Sequence, residues 1–167
     1  MSKLVRVSYL ELTDRPIAAP AYDGPERIAA EKPDVDEYLR LYRQVGGPVR
    51  WDQRLRMSRG ALDALLGSER VRIYVLRDAD GAAIGFCEFD RTAFPEIELK
   101  NFGVVPECQG RGHGSRLLVT ALNAEWATQP SRIWLHTDTW DHPAALPLYE
   151  RAGFRVTLVR EEPPDDL

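Results

Sequence analysis

Cys108-Gln109-Gly110-Arg111-Gly112-His113-Gly114-Ser115-Arg116-Leu117-Leu118 is the stretch on which the reading of this chain turns. Three glycines alternate with Arg111 and His113, and a helix-like run follows. The first turn of a helix has backbone N–H groups without partners and carries partial positive charge. Glycines just ahead of it let the main chain approach a bulky anion. The stretch therefore reads as a phosphate cradle, and a phosphate cradle implies a cofactor. Two common cradles do not fit. A dinucleotide fingerprint spaces its glycines G-x-G-x-x-G, whereas here they fall at 110, 112 and 114, with serine at 115. A P-loop would continue into Gly-Lys-Ser/Thr, which is absent.

Strand signals precede the cradle. Val71–Leu76 leads into Asp78-Ala79-Asp80-Gly81, a hairpin turn, and Ala82–Arg91 returns. A third strand covers Ile97–Val104 and ends before Pro106. Three antiparallel strands in succession argue against a doubly wound parallel sheet. In the third strand Ile97 and Leu99 share one parity, while Phe102 and Val104 share the other. That phase shift near Lys100-Asn101 predicts a β-bulge; a strand buried on both faces is the alternative.

Beyond the cradle, Gly112–Thr128 predicts a helix with Leu118, Leu122 and Trp126 on one stripe. Ser131–Thr137 reads as a strand, Pro143–Ala152 as a helix closed by Gly153, and Phe154–Val159 as a last strand. On the N-terminal side, Leu4–Leu12 predicts a strand carrying Val5, Val7 and Tyr9 on one face. Asp34–Val45 has helical spacing and stops at Gly46-Gly47-Pro48; Ser58 caps a second helix through Leu66. The Pro- and Gly-rich stretch between, Asp14–Pro33, reads as a long functional loop or a short helix set between loops. Glu161–Leu167, with two prolines and four acids, reads as a frayed tail.

The chain has 167 residues, enough for one domain with a real core. A net charge of −4 argues against a nucleic-acid binder. Cys87 and Cys108 make no CxxC or Cys/His pattern, so neither a disulfide framework nor a zinc site is expected. No apolar run approaches the ~20 residues of a membrane span. The first residues lack an apolar signal core, so a cytoplasmic location is the expectation.

Gln109-Gly110-Arg111-Gly112-His113-Gly114 resembles the Q/R-x-x-G-x-G/A signature of the GCN5-related N-acetyltransferase (GNAT) superfamily. Its context matches too: Phe102-Gly103-Val104-Val105-Pro106-Glu107 ends a strand before it and an amphipathic helix follows. Further on, Ala145-Leu146-Pro147-Leu148-Tyr149-Glu150-Arg151-Ala152-Gly153-Phe154 resembles the superfamily's A-x-x-L-Y-x-x-x-G-F segment. The match covers residues 71–159; residues 1–70 share only a strand and two helices.

The resemblance implies an α/β (α+β) fold: a central mixed, mostly antiparallel twisted sheet of about six to seven strands, flanked by about four helices and splayed at its central strands. It implies one N-acetyltransferase domain over 1–167, with an acceptor-side part (1–70), an acetyl-CoA-binding core (71–159) and a tail (160–167). Acetyl-CoA is the implied cosubstrate, and no metal is expected. Backbone N–H groups of Gln109, Gly110, Arg111, Gly112, His113 and Gly114 would hold the pyrophosphate, with Ser115 near phosphate. Backbone of Phe102, Gly103 and Val104 would pair with pantetheine and the thioester oxygen. Such N–H donors would stabilise developing negative charge.

Acetyl transfer to an amine needs a base for the ammonium proton and an acid for the departing thiolate. Glu98 has strand parity opposite to Ile97 and Leu99, and sits eleven residues before Gln109, the offset of the glutamate base in histone-acetylating members. Glu96 shares its face and is the reserve. Tyr149 matches the family's tyrosine; a phenol with pKa near 10 can protonate a thiolate. His142 stands where many members carry a cofactor-contacting Asn. It could take that role, act as a second base, or cap the next helix with Asp141. His113 reads as a solvated loop residue and His136 as structural.

The acceptor pocket would come from residues 14–60, which carry Tyr22, Asp23, Glu26, Tyr38, Tyr42, Trp51 and Asp52, with Phe94 and Trp140 from the other half. Aromatic and acidic groups suit a cationic or aromatic amine. The expectation is therefore an enzyme acetylating a small-molecule primary amine through a ternary complex. A peptide lysine or protein N-terminus is the close variant. A non-catalytic acyl-CoA-binding regulatory module is the alternative class. No nucleic acid or membrane partner is expected, and a homodimer joined at sheet edges stays open.

Overall fold

A computed structural model describes residues 3–164. Its centre is one seven-stranded sheet in the order β2-β3-β4-β5-β6-β1-β7. The strands are β1 (Val5–Leu12), β2 (Arg27–Glu31), β3 (Val71–Arg77), β4 (Ala83–Asp90), β5 (Glu96–Val104), β6 (Arg132–Asp138) and β7 (Arg155–Glu162). Four α-helices flank it: α1 (Val35–Gly46), α2 (Arg59–Leu66), α3 (His113–Trp126) and α4 (Ala145–Ala152). Every neighbouring pair is antiparallel except β5 and β6.

Local chemistry fixes most boundaries. The Asp34 carboxylate accepts from Glu37 N–H at 2.8 Å and starts α1; Ser58 Oγ accepts from Ala61 N–H at 3.1 Å and starts α2. Asp78 Oδ1 accepts from the N–H groups of Asp80 (2.9 Å) and Ala82 (3.0 Å), closing the β3–β4 hairpin. α1 buries Val35, Tyr38, Leu41, Tyr42 and Val45, a stripe at helical spacing.

Helices cover both faces of β4. Phe86 meets the Tyr38 ring of α1 edge-on at 5.9 Å, while a Cβ on the neighbouring Gly85 would come within 3.3 Å of Leu117 of α3. Successive side chains point to opposite faces, so α1 and α3 sandwich this strand. Ile84 through Phe89 are accordingly buried without a break, where half-buried strands alternate. β7 is the opposite extreme: Arg155 through Glu161 are all exposed.

Two buried carboxylates tie the layers together. Glu88 of β4 accepts from the Tyr38 hydroxyl and pairs with Arg54 of the α1–α2 connection, and Asn101 Nδ2 donates to it at 3.1 Å. Glu125 of α3 accepts from Tyr74 at 2.9 Å and pairs with Arg72 and Arg91. Buried charges persist when they are paired and hydrogen-bonded in this way.

Three features depart from the sequence reading. The segment 14–33 contains β2, an edge strand pairing β3 from Arg27↔Arg77 to Glu31↔Ile73, where a loop or helix was expected. Its residues Arg-Ile-Ala-Ala-Glu are only partly buried, so no alternation marks them. In β1 the inward face passes from Val5 and Val7 to Leu10 and Leu12, so Tyr9 leaves it; the β1–β7 register shifts at that point. The chain expected to fray from Glu161 continues β7 through Glu162, opposite Val5; residues 165–167 lie outside the described range.

Candidate active site

The bulge predicted near Lys100-Asn101 is present. Against β4, Glu88 pairs with Asn101 and Phe89 with Leu99, so Lys100 is the extra residue. On the other edge β5 pairs with β6 only at Glu96↔Arg132, Ile97↔Ile133 and Glu98↔Trp134. Beyond Glu98 the two strands part. One bulge thus bends β5 away from its parallel neighbour and opens a wedge in the middle of the sheet.

Opening the wedge strips β5 of its backbone partners on that edge. Val105 N–H donates to Ile84 C=O of β4 at 2.8 Å. Backbone groups of successive strand residues face opposite edges. The N–H groups of Val104 and Phe102 therefore face the wedge, while that of Gly103 turns to β4. Gln109 Nε2 donates to the Val104 carbonyl at 3.1 Å, which fastens the glycine run to the strand.

The glycine run closes the wide end. Gly110 and Gly112 have φ of +77° and +81°, the left-handed region that favours glycine. Gly112 is the N-cap of α3 and supplies no side chain, so the first-turn N–H groups are left open toward the cleft. Gly110, Gly112, Gly114 and Ser115 line that cleft, whose volume is about 500 Å³; Gln109 and Pro106 flank them. Arg111 and His113 do not line it. His113 turns to Glu26 at 3.8 Å.

Tyr149, on α4, forms the floor beside Leu148. Its ring sits 5.9 Å from Phe102 and 6.0 Å from Phe154. Burial pushes its phenol above the ordinary value, with Asp141 adding to the rise. The far wall comes from the α1–α2 connection and the β6–α4 connection, through Arg50, Trp51, Asp52, Trp140 and His142. Arg50 lies over the Trp140 ring at 4.9 Å. Tyr22, Asp23, Glu26 and Phe94, also considered for the acceptor side, do not line the cleft.

Glu98 stands at the point where the strands part. Its side chain is 15% exposed, and burial raises its carboxyl above the usual range against the opposing effects of Lys100 and His136. It is 3.7 Å from Lys100 Nζ and 4.0 Å from His136 Nε2. Glu98 does not itself line the cleft; Lys100 and His136 do. Glu96, on the same face as Glu98 at the start of β5, is exposed, and Arg132 Nε donates to it at 2.7 Å.

His142 Nδ1 accepts from Ala144 N–H at 3.1 Å, tightening the turn that enters α4. Asp141 does not share that work: its carboxylate accepts from the Thr137 hydroxyl and, at 3.1 Å, from Asp138 N–H. Sequence reasoning passed over His136, Lys100 and Asp138 as site residues. The signal was present for two of them, since His136 and Asp138 share strand parity opposite to the buried Ile133 and Leu135. Among the described residues no group of three His, Cys, Asp or Glu is placed to hold a metal ion.

Comparison with known proteins agrees with this geometry. The chain is 34% identical over 107 residues to the mycothiol acetyltransferase of Clavibacter michiganensis subsp. michiganensis (strain NCPPB 382), covering 62% of this chain and 34% of that one. It thus spans about a third of the length of that relative. A GCN5-related N-acetyltransferase from Sphaerobacter thermophilus superposes with a TM-score of 0.62 at 23% identity, over 96% of this chain and 53% of that one. The ribosomal-protein-S18-alanine N-acetyltransferase of Escherichia coli gives 0.63 at 22% identity, over 80% and 79%. At these identities the structures speak for the fold. The model of the acetyltransferase (GNAT) family matches residues 34–154, well over half the sequence, and the chain belongs to that family of N-acetyltransferase enzymes, whose cosubstrate is acetyl-CoA.

Proposed function

We propose that this chain moves an acetyl group from acetyl-CoA to a primary amine of a small molecule, by direct attack within a ternary complex. The observation that carries the reading is the continuity of one cleft. It runs from the glycine run, along the opened edge of β5, to Tyr149 and the aromatic wall. Its parts fit the cosubstrate: open N–H groups at the α3 N-terminus suit a pyrophosphate, and the unpaired β5 edge suits an amide-bearing arm.

Bound acetyl-CoA supplies the thioester carbon that the amine attacks. The chain's own groups do the rest. Backbone N–H of Phe102 and Val104 lies along the opened edge, available to a carbonyl oxygen. Tyr149, like any phenol, holds its proton through the neutral range and can offer it to a departing thiolate; burial raises its phenol, so the proton passes as charge builds on the sulfur rather than ahead of it. Glu98 is the carboxylate of the base, held partly desolvated at the end of the β5–β6 pairing. Arg50, Trp51, Asp52, Trp140 and Asp138 form the acceptor end, where aromatic rings and carboxylates favour a cationic amine. The relatives named mycothiol acetyltransferase support a small-molecule acceptor.

The test is thiol release from acetyl-CoA across a panel of small amines, a lysine peptide and a peptide N-terminus. Turnover is expected with a small amine, and Tyr149→Phe should slow it by about 100-fold or more without weakening acetyl-CoA binding. Binding without turnover on any amine would sink the enzyme reading; turnover that Tyr149→Phe leaves unchanged would sink the role given to Tyr149.

A further inference from the structure

We propose, on the acetyltransferase reading above, that His136 is the group that meets the acceptor amine and takes its proton, with Glu98 as its positioning carboxylate. Three observations converge on His136. It lines the cleft where Glu98 does not. Its Nε2 lies 4.0 Å from Glu98 Oε1, an ion-pair distance that exceeds a direct hydrogen bond. Its Nδ1 is buried and has no hydrogen-bond partner among the described residues, so no protein group claims the ring's other nitrogen. With Nδ1 enclosed, Nε2, on the side of Glu98, is the ring nitrogen left to exchange a proton.

The fold holds the ring in place. His136 is the fifth residue of β6, opposite Tyr9 of β1, whose ring lies 5.8 Å away. Tyr9 is anchored in turn, its hydroxyl donating to Glu162 of β7 at 2.7 Å. Glu98 pairs with Trp134, two residues before His136, at the last rung before the strands separate. The imidazole therefore stands on the wedge side of its carboxylate, and the carboxylate is shielded behind it.

The titratable groups around the ring are Glu98 and Lys100 on β5, Asp138 on its own strand and Tyr9 on β1. In the proposed step an N–H bond of the acceptor ammonium breaks and an N–H bond forms at His136 Nε2. The products are a neutral amine and an imidazolium. Glu98, 4.0 Å away, offsets the new positive charge, and the proton leaves later to solvent. The free amine is then the nucleophile. An imidazole is in general a stronger base than a carboxylate, and so the better acceptor for an ammonium proton.

Two measurements on the intact protein test this. The chain has three histidines, so imidazole signals are assignable by His→Gln replacement in two-dimensional NMR. Glu98→Gln should move the His136 titration to lower pH, further than Asp138→Asn does. The second is kcat/KM against pH, with the small amine that gives turnover. His136→Gln should lower the neutral-pH rate about 100-fold or more and replace the rising limb with one displaced upward, to the range where the free amine loses its own proton. Glu98→Gln should keep the limb but displace it to lower pH. A limb that survives His136→Gln and vanishes in Glu98→Gln makes Glu98 the sole base and overturns the proposal. So does a His136 titration that ignores Glu98→Gln. If His136→Gln does not fold, the Glu98→Gln titration and pH profile decide alone. Failure of every amine to turn over would overturn the acetyltransferase reading, and the proposal with it.

Discussion

Arg54→Met should cost far more stability than a loop substitution normally does. Arg54 belongs to no helix or strand, yet its side chain is only 12% exposed and its partner Glu88 only 1%. Removing the guanidinium leaves a carboxylate buried in the middle of β4 with only the Tyr38 hydroxyl and the Asn101 amide beside it. Breaking one partner out of a buried ion pair costs about 3–5 kcal/mol. For a chain of this size each kcal/mol shifts Tm by about 2–4 °C, so a fall of roughly 6–20 °C is expected. Glu88→Gln keeps neutral hydrogen bonding to Tyr38 and Asn101. Added to Arg54→Met, it should return much of the loss. The assay is thermal unfolding of both single variants and the double variant. Losses that add to within about 0.5 kcal/mol would refute the coupling. The same pair pins the connection that carries Arg50 through Gln53 into the cleft. Arg54→Met should therefore also raise the acceptor KM more than that for acetyl-CoA, in enzyme assayed well below its Tm.

Gly112→Ala meets open space, so its cost is purely the left-handed backbone: about 1–2 kcal/mol, with weaker acetyl-CoA binding by calorimetry. Unchanged stability and affinity would argue against the glycine run as a cradle. Gly103→Ala would drive a Cβ into Val45 Cγ1, and such overpacking costs about 1–3 kcal/mol; pairing it with Val45→Ala should restore Tm, and a failure to do so would locate the strain elsewhere. Glu98→Gln should raise Tm at neutral pH. Burial raises the folded-state carboxyl of Glu98 above its unfolded value, so its relative stability is full below the unfolded pKa and lost as pH rises through the folded one. The advantage of the amide should therefore fade as pH falls toward 4, the unfolded glutamate range; an advantage independent of pH would contradict it.

The bulge in β5 was legible because burial enforces parity: Ile97 and Leu99 against Phe102 and Val104 admit only an inserted residue or a doubly buried strand. The register supplied the insertion, at Lys100. β2 was not legible, because an edge strand whose residues are half-exposed has no alternating demand to write into the sequence. Tyr149 and the glycine run came from motif and helix-terminus chemistry, and both line the cleft. His136 was read as structural because it sits on a strand among Leu135 and Thr137; its own face became meaningful only once β5 diverged from β6. Glu98 was correctly set apart from the core parity, but parity does not say what stands between a side chain and a cleft.

The position of β1 bears on how this molecule comes into being. It lies between β6 and β7, and its Tyr9 hydroxyl reaches Glu162, 153 residues away in sequence. The first strand of this sheet in sequence order thus pairs only with its last two. Until β7 is made, β6 has three rungs against β5 and six against β1, and β1 has one edge open. Pairings of such high contact order are slow to form, and an unpaired apolar strand is exposed meanwhile. Assembly should therefore proceed in two stages, with the β2–β5 half closing on itself early. The wedge, one wall of which is β6, then forms only once β7 has been made, so a nascent chain released short of β7 would fold its hairpins and still have no site.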